Sequence, residues 1–185
     1  MSDESGLRTL SAEHRALAKH VGVLLRSLER LRDGSEYIPP GELGELRRQV
    51  KALRRTFVIH RTEEEIGLYP EVEARLAEQG AEADALREFF AGQAEEDLAA
   101  HAAFDRGVHD LESLLAALKR RDTGQLRTKL FEAARAATGL LTRHAHKEDT
   151  VIFPMILRVL SEEQIATVTT RMRELREVAN ESWRG

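Results

Sequence analysis

Two stretches of this chain place the same reactive groups at the same offsets: HRTEEEIGLYP at 60–70 and HAHKEDTVIFP at 144–154. In each, a His is followed four residues on by a Glu, and then by an aromatic residue and a Pro: His60, Glu64, Tyr69, Pro70 and His144, Glu148, Phe153, Pro154. Residues i and i+4 share one face of a helix, so each His–Glu pair can grip one ion. A single His-x-x-x-Glu means little in a chain with 7 His and 32 acidic residues. Two of them with the same aromatic-Pro sequel mean much more. Imidazole with carboxylate suits iron, and also manganese or zinc.

The elements that must carry these groups read as helices. Apolar residues recur at spacings of three and four nearly throughout. The first helix carries Leu7, Leu10, His14, Leu17, Val21, Leu24, Leu28 and Leu31 and stops at Asp33-Gly34. The second carries Leu43, Leu46, Val50, Leu53, Phe57, His60 and Glu64, and Pro70 is expected to end or kink it near Leu68. A short piece over 71–78 closes at Gly80. The third long helix carries Asp97, His101, Phe104, Val108, Leu111, Leu115 and Leu118, and the fourth Leu130, Ala134, Ala137, Leu141, His144, Glu148 and Val151. Ser161-Glu162-Glu163-Gln164 is a capping box that opens a fifth, amphipathic helix through Ile165, Val168, Met172, Leu175 and Ala179. Four long helices with short connections predict an all-α, antiparallel up-down four-helix bundle over 1–160, followed by an additional C-terminal helix over 161–185. The chain also repeats. A shift of 87 lays His14 on His101 and the first helix on the third; a shift of 84 lays His60 on His144 and the second on the fourth. The two halves read as similar hairpins, the first with a connection three residues longer.

On the inward seams of these helices stand His14, His60, Glu64, Asp97, His101, His144 and Glu148. Burying a carboxylate costs several kcal/mol unless it is paired or metal-bound. No Lys or Arg falls on the seams, and one cation centre would satisfy the whole set. His20, His109 and His146 read as surface residues. Glu63, Glu65 and Asp149 flank the seam, with roles behind the ligands or in solvent, and Tyr69 and Phe153 read as packing of the bundle end.

Composition excludes other classes. The chain has 185 residues, a formal net charge of −4 and no Cys, which removes disulfide and thiolate chemistry. Mixed charges argue against nucleic-acid binding. The polar start MSDESG is unlike a signal peptide, and no apolar run approaches a membrane span. The expectation is a soluble, cytoplasmic protein.

The ordered pattern His14, His60-x-x-x-Glu64, His101, His144-x-x-x-Glu148, with Tyr-Pro and Phe-Pro after the pairs, resembles the hemerythrin-like, or HHE cation-binding, family over roughly residues 7–158. The resemblance implies a four-helix bundle around a non-heme di-iron centre with an oxo or hydroxo bridge. It implies His14, His60, His101 and His144 as terminal ligands, and Glu64 and Glu148 as bridges between two iron ions. It also implies O2, peroxide or nitric oxide as the small ligand, for oxygen or redox sensing, storage or detoxification. A di-iron oxidoreductase, such as a peroxide-disproportionating enzyme, and an iron-responsive interaction module are the alternatives. Oxygen-carrying members place a His where this chain has Asp97. Its carboxylate is expected to ligate the same metal as His101, directly or through water; the other role open to it is to orient a ligand His. The fifth helix is expected to dock by its apolar stripe, outside the metal site, or to form a homodimer.

Overall fold

The computed structural model describes residues 5–34 and 38–183; residues 1–4 of the polar N-terminus lie outside them. The described chain is helical, with α1 (Ser5–Asp33), α2 (Pro40–Thr62), α3 (Tyr69–Glu78), α4 (Asp84–Arg120), α5 (Gly124–Lys147), α6 (Phe153–Val159) and α7 (Glu162–Ser182). Around the bundle, α1 packs on α2 and α5, and α4 packs on the same two, which is the ring expected of four consecutive antiparallel helices. The connection between α1 and α2 covers 34–39, and that between α4 and α5 covers 121–123, three residues fewer as the repeat requires. Thr123 caps α5 by accepting the Leu126 N–H, and Ser161 and Gln164 form the reciprocal capping box of α7.

The two Pro residues do not end their helices. A π turn over Glu63–Leu68 joins α2 to α3, and another over Glu148–Ile152 joins α5 to α6. In each, the aromatic residue donates its N–H five residues back, Tyr69 to the Glu64 carbonyl and Phe153 to the Glu148 carbonyl. Pro70 and Pro154 have no N–H and would crowd a carbonyl four residues back in a regular helix; widening the turn by one residue relieves both problems. The repeated Glu–aromatic–Pro spacing is therefore the mark of a π turn.

The extra residue rotates everything beyond it. The fourth-helix seam was expected to continue from Glu148 to Val151, but Val151 is exposed and Ile152 is fully buried. The first hairpin behaves alike, with Ile66 exposed and Leu68 buried.

The interior has two apolar clusters. One runs from Leu17 to Phe57 on α1 and α2 and from Phe104 to Leu141 on α4 and α5. The other gathers Leu7, Leu10, Leu68, Tyr69, Val72, Phe90, Ile152, Phe153 and Ile156 with Ile165, Val168 and Met172 of α7. The seam His and carboxylate residues lie in the layer between them. The apolar stripe of α7 is thus spent on its own bundle, against α1, α2 and the first π turn. Close approach is built in: a Cβ on Gly67 would lie 3.1 Å from Met172, and one on Gly6 2.5 Å from Thr169.

The register shift can be checked by urea unfolding. Ile152→Ala should cost about 2–5 kcal/mol as a core truncation, whereas Val151→Ala should stay within about 0.5 kcal/mol.

Candidate metal centre

Six side chains converge between the two apolar clusters: His14 from α1, His60 from α2, Glu64 in the first π turn, His101 from α4, His144 from α5, and Glu148 at the head of the second π turn. All are at most 5% exposed. Their donor atoms form two groups of four, His14, His60, His144, Glu148 and Glu64, His101, His144, Glu148, with every atom in a group within 4.8 Å of the others.

The imidazoles come in two pairs. His14 and His60 meet through Nε2 at 3.1 Å, and His101 and His144 through Nε2 at 3.2 Å. Glu64 touches both pairs with different oxygens, Oε1 to His60 and Oε2 to His101, each at 3.3 Å. Glu148 reaches both with Oε2, 2.8 Å from His14 and 3.3 Å from His144.

Each ring is held from behind. His14 Nδ1 faces Asp149 at 3.2 Å, His60 Nδ1 faces Glu13 at 3.3 Å, His101 Nδ1 faces Glu65 at 2.8 Å, and His144 Nδ1 faces Asp97 at 3.1 Å. A carboxylate at Nδ1 takes that N–H and fixes the tautomer, leaving the Nε2 lone pair pointing inward. With all four rings neutral, four lone pairs face the two carboxylates. Both oxygens of Glu64 and Oε2 of Glu148 are buried without a hydrogen-bond partner. Among the described residues, no Lys or Arg forms an ion pair with either Glu. The residues present fit metal binding by imidazole and carboxylate, with His144 and Glu148 common to both groups of donors.

Six of the seven candidates read from the sequence lie together in one layer. The seventh, Asp97, stands behind His144: Oδ1 accepts from His144 Nδ1 and Oδ2 from the Tyr69 hydroxyl. This is the orienting arrangement and not the ligating one, because the carboxylate lies on the outer side of the ring. Among the described residues, no Lys or Arg stands on the seam within this layer, but one reaches in from beside it. Lys147 Nζ lies 3.8 Å from Asp97, though it is closer to Glu96 at 2.9 Å. Tyr69 does more than pack the bundle end, since its hydroxyl also lies 2.9 Å from Glu148 Oε1. Its counterpart Phe153 has no hydroxyl and stacks parallel to His14, ring centroids 5.8 Å apart. His20, His109 and His146 are exposed, as read. Glu63 is fully buried and paired with Arg176 of α7. Glu13 was missed, because it precedes His14 and falls off any apolar period.

The electrostatics of the metal-free layer are divided. Burial works against ionisation of Glu64, but His60, His101 and His144 outweigh it and draw its carboxyl down to about 2. Burial and the charge of Glu64 push Glu148 well above the usual carboxylate range. Burial and the neighbouring His60 lower His14 to about 4, so it stays neutral. His101 resists burial through its contacts with Glu64 and Glu65 and rises to about 9. Burial, then the charges of Glu64, Glu148 and Asp97, keep Tyr69 a neutral phenol.

A four-helix bundle with a dry histidine–carboxylate layer defines a cation-binding protein. The chain belongs to the hemerythrin HHE cation-binding domain family, whose model matches residues 5–94 and 93–185. The two matches divide the chain where its internal repeat does, and the second takes in α7. A comparison with curated proteins gives no significant match.

Two outcomes test the site. Ligation needs His101 neutral, whereas its contacts with Glu64 and Glu65 keep it protonated at neutral pH in the metal-free chain; burial also shifts Glu148 toward its protonated form. Metal uptake should therefore release protons, that of His101 among them, and affinity should rise with pH until about 9. Calorimetry in buffers of different ionisation enthalpy counts those protons; a pH-independent affinity contradicts the assignment. Chelation should also lower the melting temperature, since a metal a thousandfold above its Kd adds about 4 kcal/mol to the native state.

Proposed function

We propose that the chain holds two iron ions, His14 and His60 on one, His101 and His144 on the other, with Glu64 and Glu148 shared, and binds O2 or a related small oxidant such as peroxide or nitric oxide. The observation that carries this reading is the convergence of buried donor atoms. Four imidazole Nε2 atoms meet two carboxylates, of which both Glu64 oxygens and Glu148 Oε2 have no hydrogen-bond partner. Iron in an imidazole-rich, carboxylate-bridged setting supplies reversible one-electron change and affinity for small oxidants.

The chain's own residues prepare that setting. Asp97, Asp149, Glu13 and Glu65 orient the four rings and make their inner nitrogens better donors. Phe57 lies against His101, ring centroids 5.5 Å apart, and Phe153 against His14, so apolar surface closes the layer from both sides. Tyr69 holds a proton between Asp97 and Glu148.

That buried phenol favours a second reading, a di-iron oxidoreductase acting on peroxide. Cleaving an O–O bond requires protons at the oxygen atoms, and Tyr69 is a proton donor at the site; carriage of an intact ligand needs none.

Metal analysis with a visible spectrum of protein purified in air tests the common part: two irons per chain with blue–violet bands are expected, and absence of iron overturns both readings. Stopped-flow mixing with O2, peroxide and nitric oxide separates them. Under the enzymatic reading, Tyr69→Phe keeps both metals but lowers peroxide turnover by about 10²-fold. Binding without turnover in the wild type supports carriage or sensing.

A further inference from the structure

The two halves of the site are alike in their ligands and differ in what holds the rings of His60 and His144. On the His144 side the carboxylate is Asp97, itself fixed by the buried Tyr69 hydroxyl. The repeat offers His60 no such pair, because Leu10 replaces Asp97 and Phe153 replaces Tyr69. Its carboxylate is Glu13 instead, whose repeat counterpart is Ala100.

Glu13 is held from outside the repeat. Arg176 Nη2 lies 2.6 Å from Glu13 Oε1, while Glu13 Oε2 faces His60 Nδ1. The same guanidinium binds both oxygens of the buried Glu63, Nε to Oε1 at 2.5 Å and Nη2 to Oε2 at 2.7 Å. Glu63 opens the π turn that carries Glu64. Arg176 stands one helical turn beyond Met172, on the face of α7 that docks against Gly67 in that turn. One side chain of the C-terminal helix thus contacts the carboxylate behind a ligand His and the residue beside a ligand Glu.

We propose that Arg176 is a positioning residue of the metal centre and that α7, through Arg176–Glu13–His60 and Arg176–Glu63, completes the half of the site that the repeat leaves unfinished. This rests on the reading of the layer as a two-metal site. It reverses the expectation that α7 lies outside the centre. Arg176 gives Glu13 one fixed rotamer, and Glu13 gives His60 one tautomer and ring angle. Without the guanidinium, Glu13 and Glu63 become adjacent like charges, and the pull on both ligands relaxes.

The test is stepwise titration of the metal-free full chain with cobalt(II), read by visible absorption. Arg176→Ala should weaken one binding step by about 10- to 100-fold and the other less, since Glu63 adjoins the shared Glu64. Glu13→Ala should weaken the same step, and the double variant should be no worse than the more affected single one, as for residues acting in series. Arg176→Lys should restore only part, since a point charge cannot grip Glu63 with two nitrogens. Arg171→Ala is the control for helix docking: it breaks the exposed Arg171–Glu71 pair on the same helix and should leave both steps intact. Unchanged steps in Arg176→Ala, or equal losses in Arg176→Ala and Arg171→Ala, overturn the proposal. If Arg176→Ala fails to fold, Glu13→Ala decides alone, because it keeps the Arg176–Glu63 pair. A wild-type chain that takes up no metal overturns the functional reading and this inference with it; a wild type with two metals and insensitive variants overturns this inference alone.

Discussion

The structure turns on where the four imidazole protons go. Each Nδ1 faces a carboxylate, so in each neutral ring Nε2 presents a lone pair to its neighbours across about 3 Å, and in His101 a proton must leave before it can. Two carboxylates share that space, and apolar clusters lie above and below it. Crowding lone pairs and carboxylates in a buried layer is costly, and the cost grows with every helix packed more tightly. A cation reverses its sign. The same tight bundle that makes the metal-free layer unfavourable then becomes a preorganised donor set. This is why fold and site cannot be argued separately here: the outer carboxylates set the tautomers, and the tautomers set the need for metal.

Much of this was legible in the sequence, because its governing signals are periodic. A seam of spacing three and four fixed which faces turn inward, and the repeat showed that two hairpins close on each other. Polar residues on those seams were therefore bound to meet. The π turns were equally present in the letters, as Glu–aromatic–Pro at one offset, but a helical period read without interruption carries Val151 inward where Ile152 belongs. The lesson is local and physical: a Pro in a helical run removes one N–H, and a one-residue widening is a cheaper answer than a break when the following turn has apolar residues to bury.

What the sequence left hidden depends on rotations between helices. Asp97 shares a face with His101, and that made ligation beside His101 the natural reading. Across the bundle it meets the outer nitrogen of His144 instead. No spacing along α4 distinguishes the two, because the choice is made by where α5 sits. Glu13 and Arg176 are hidden for the same reason, being 163 positions apart and joined only when α7 folds back along α1.

The departures from symmetry fall outside the ligand set. Four His and two Glu superpose under the repeat, while the differences are Leu10 against Asp97, Glu13 against Ala100 and Tyr69 against Phe153. Identical ligands in unlike surroundings do not make identical sites, since the basicity of an imidazole follows the group behind it. The His101–His144 half is backed by a buried phenol that carries a proton. The His14–His60 half is backed by a guanidinium that is about one-third exposed and reaches the site from a separate helix. One half is thus backed by a buried hydroxyl, and the other by a charged side chain from a surface helix.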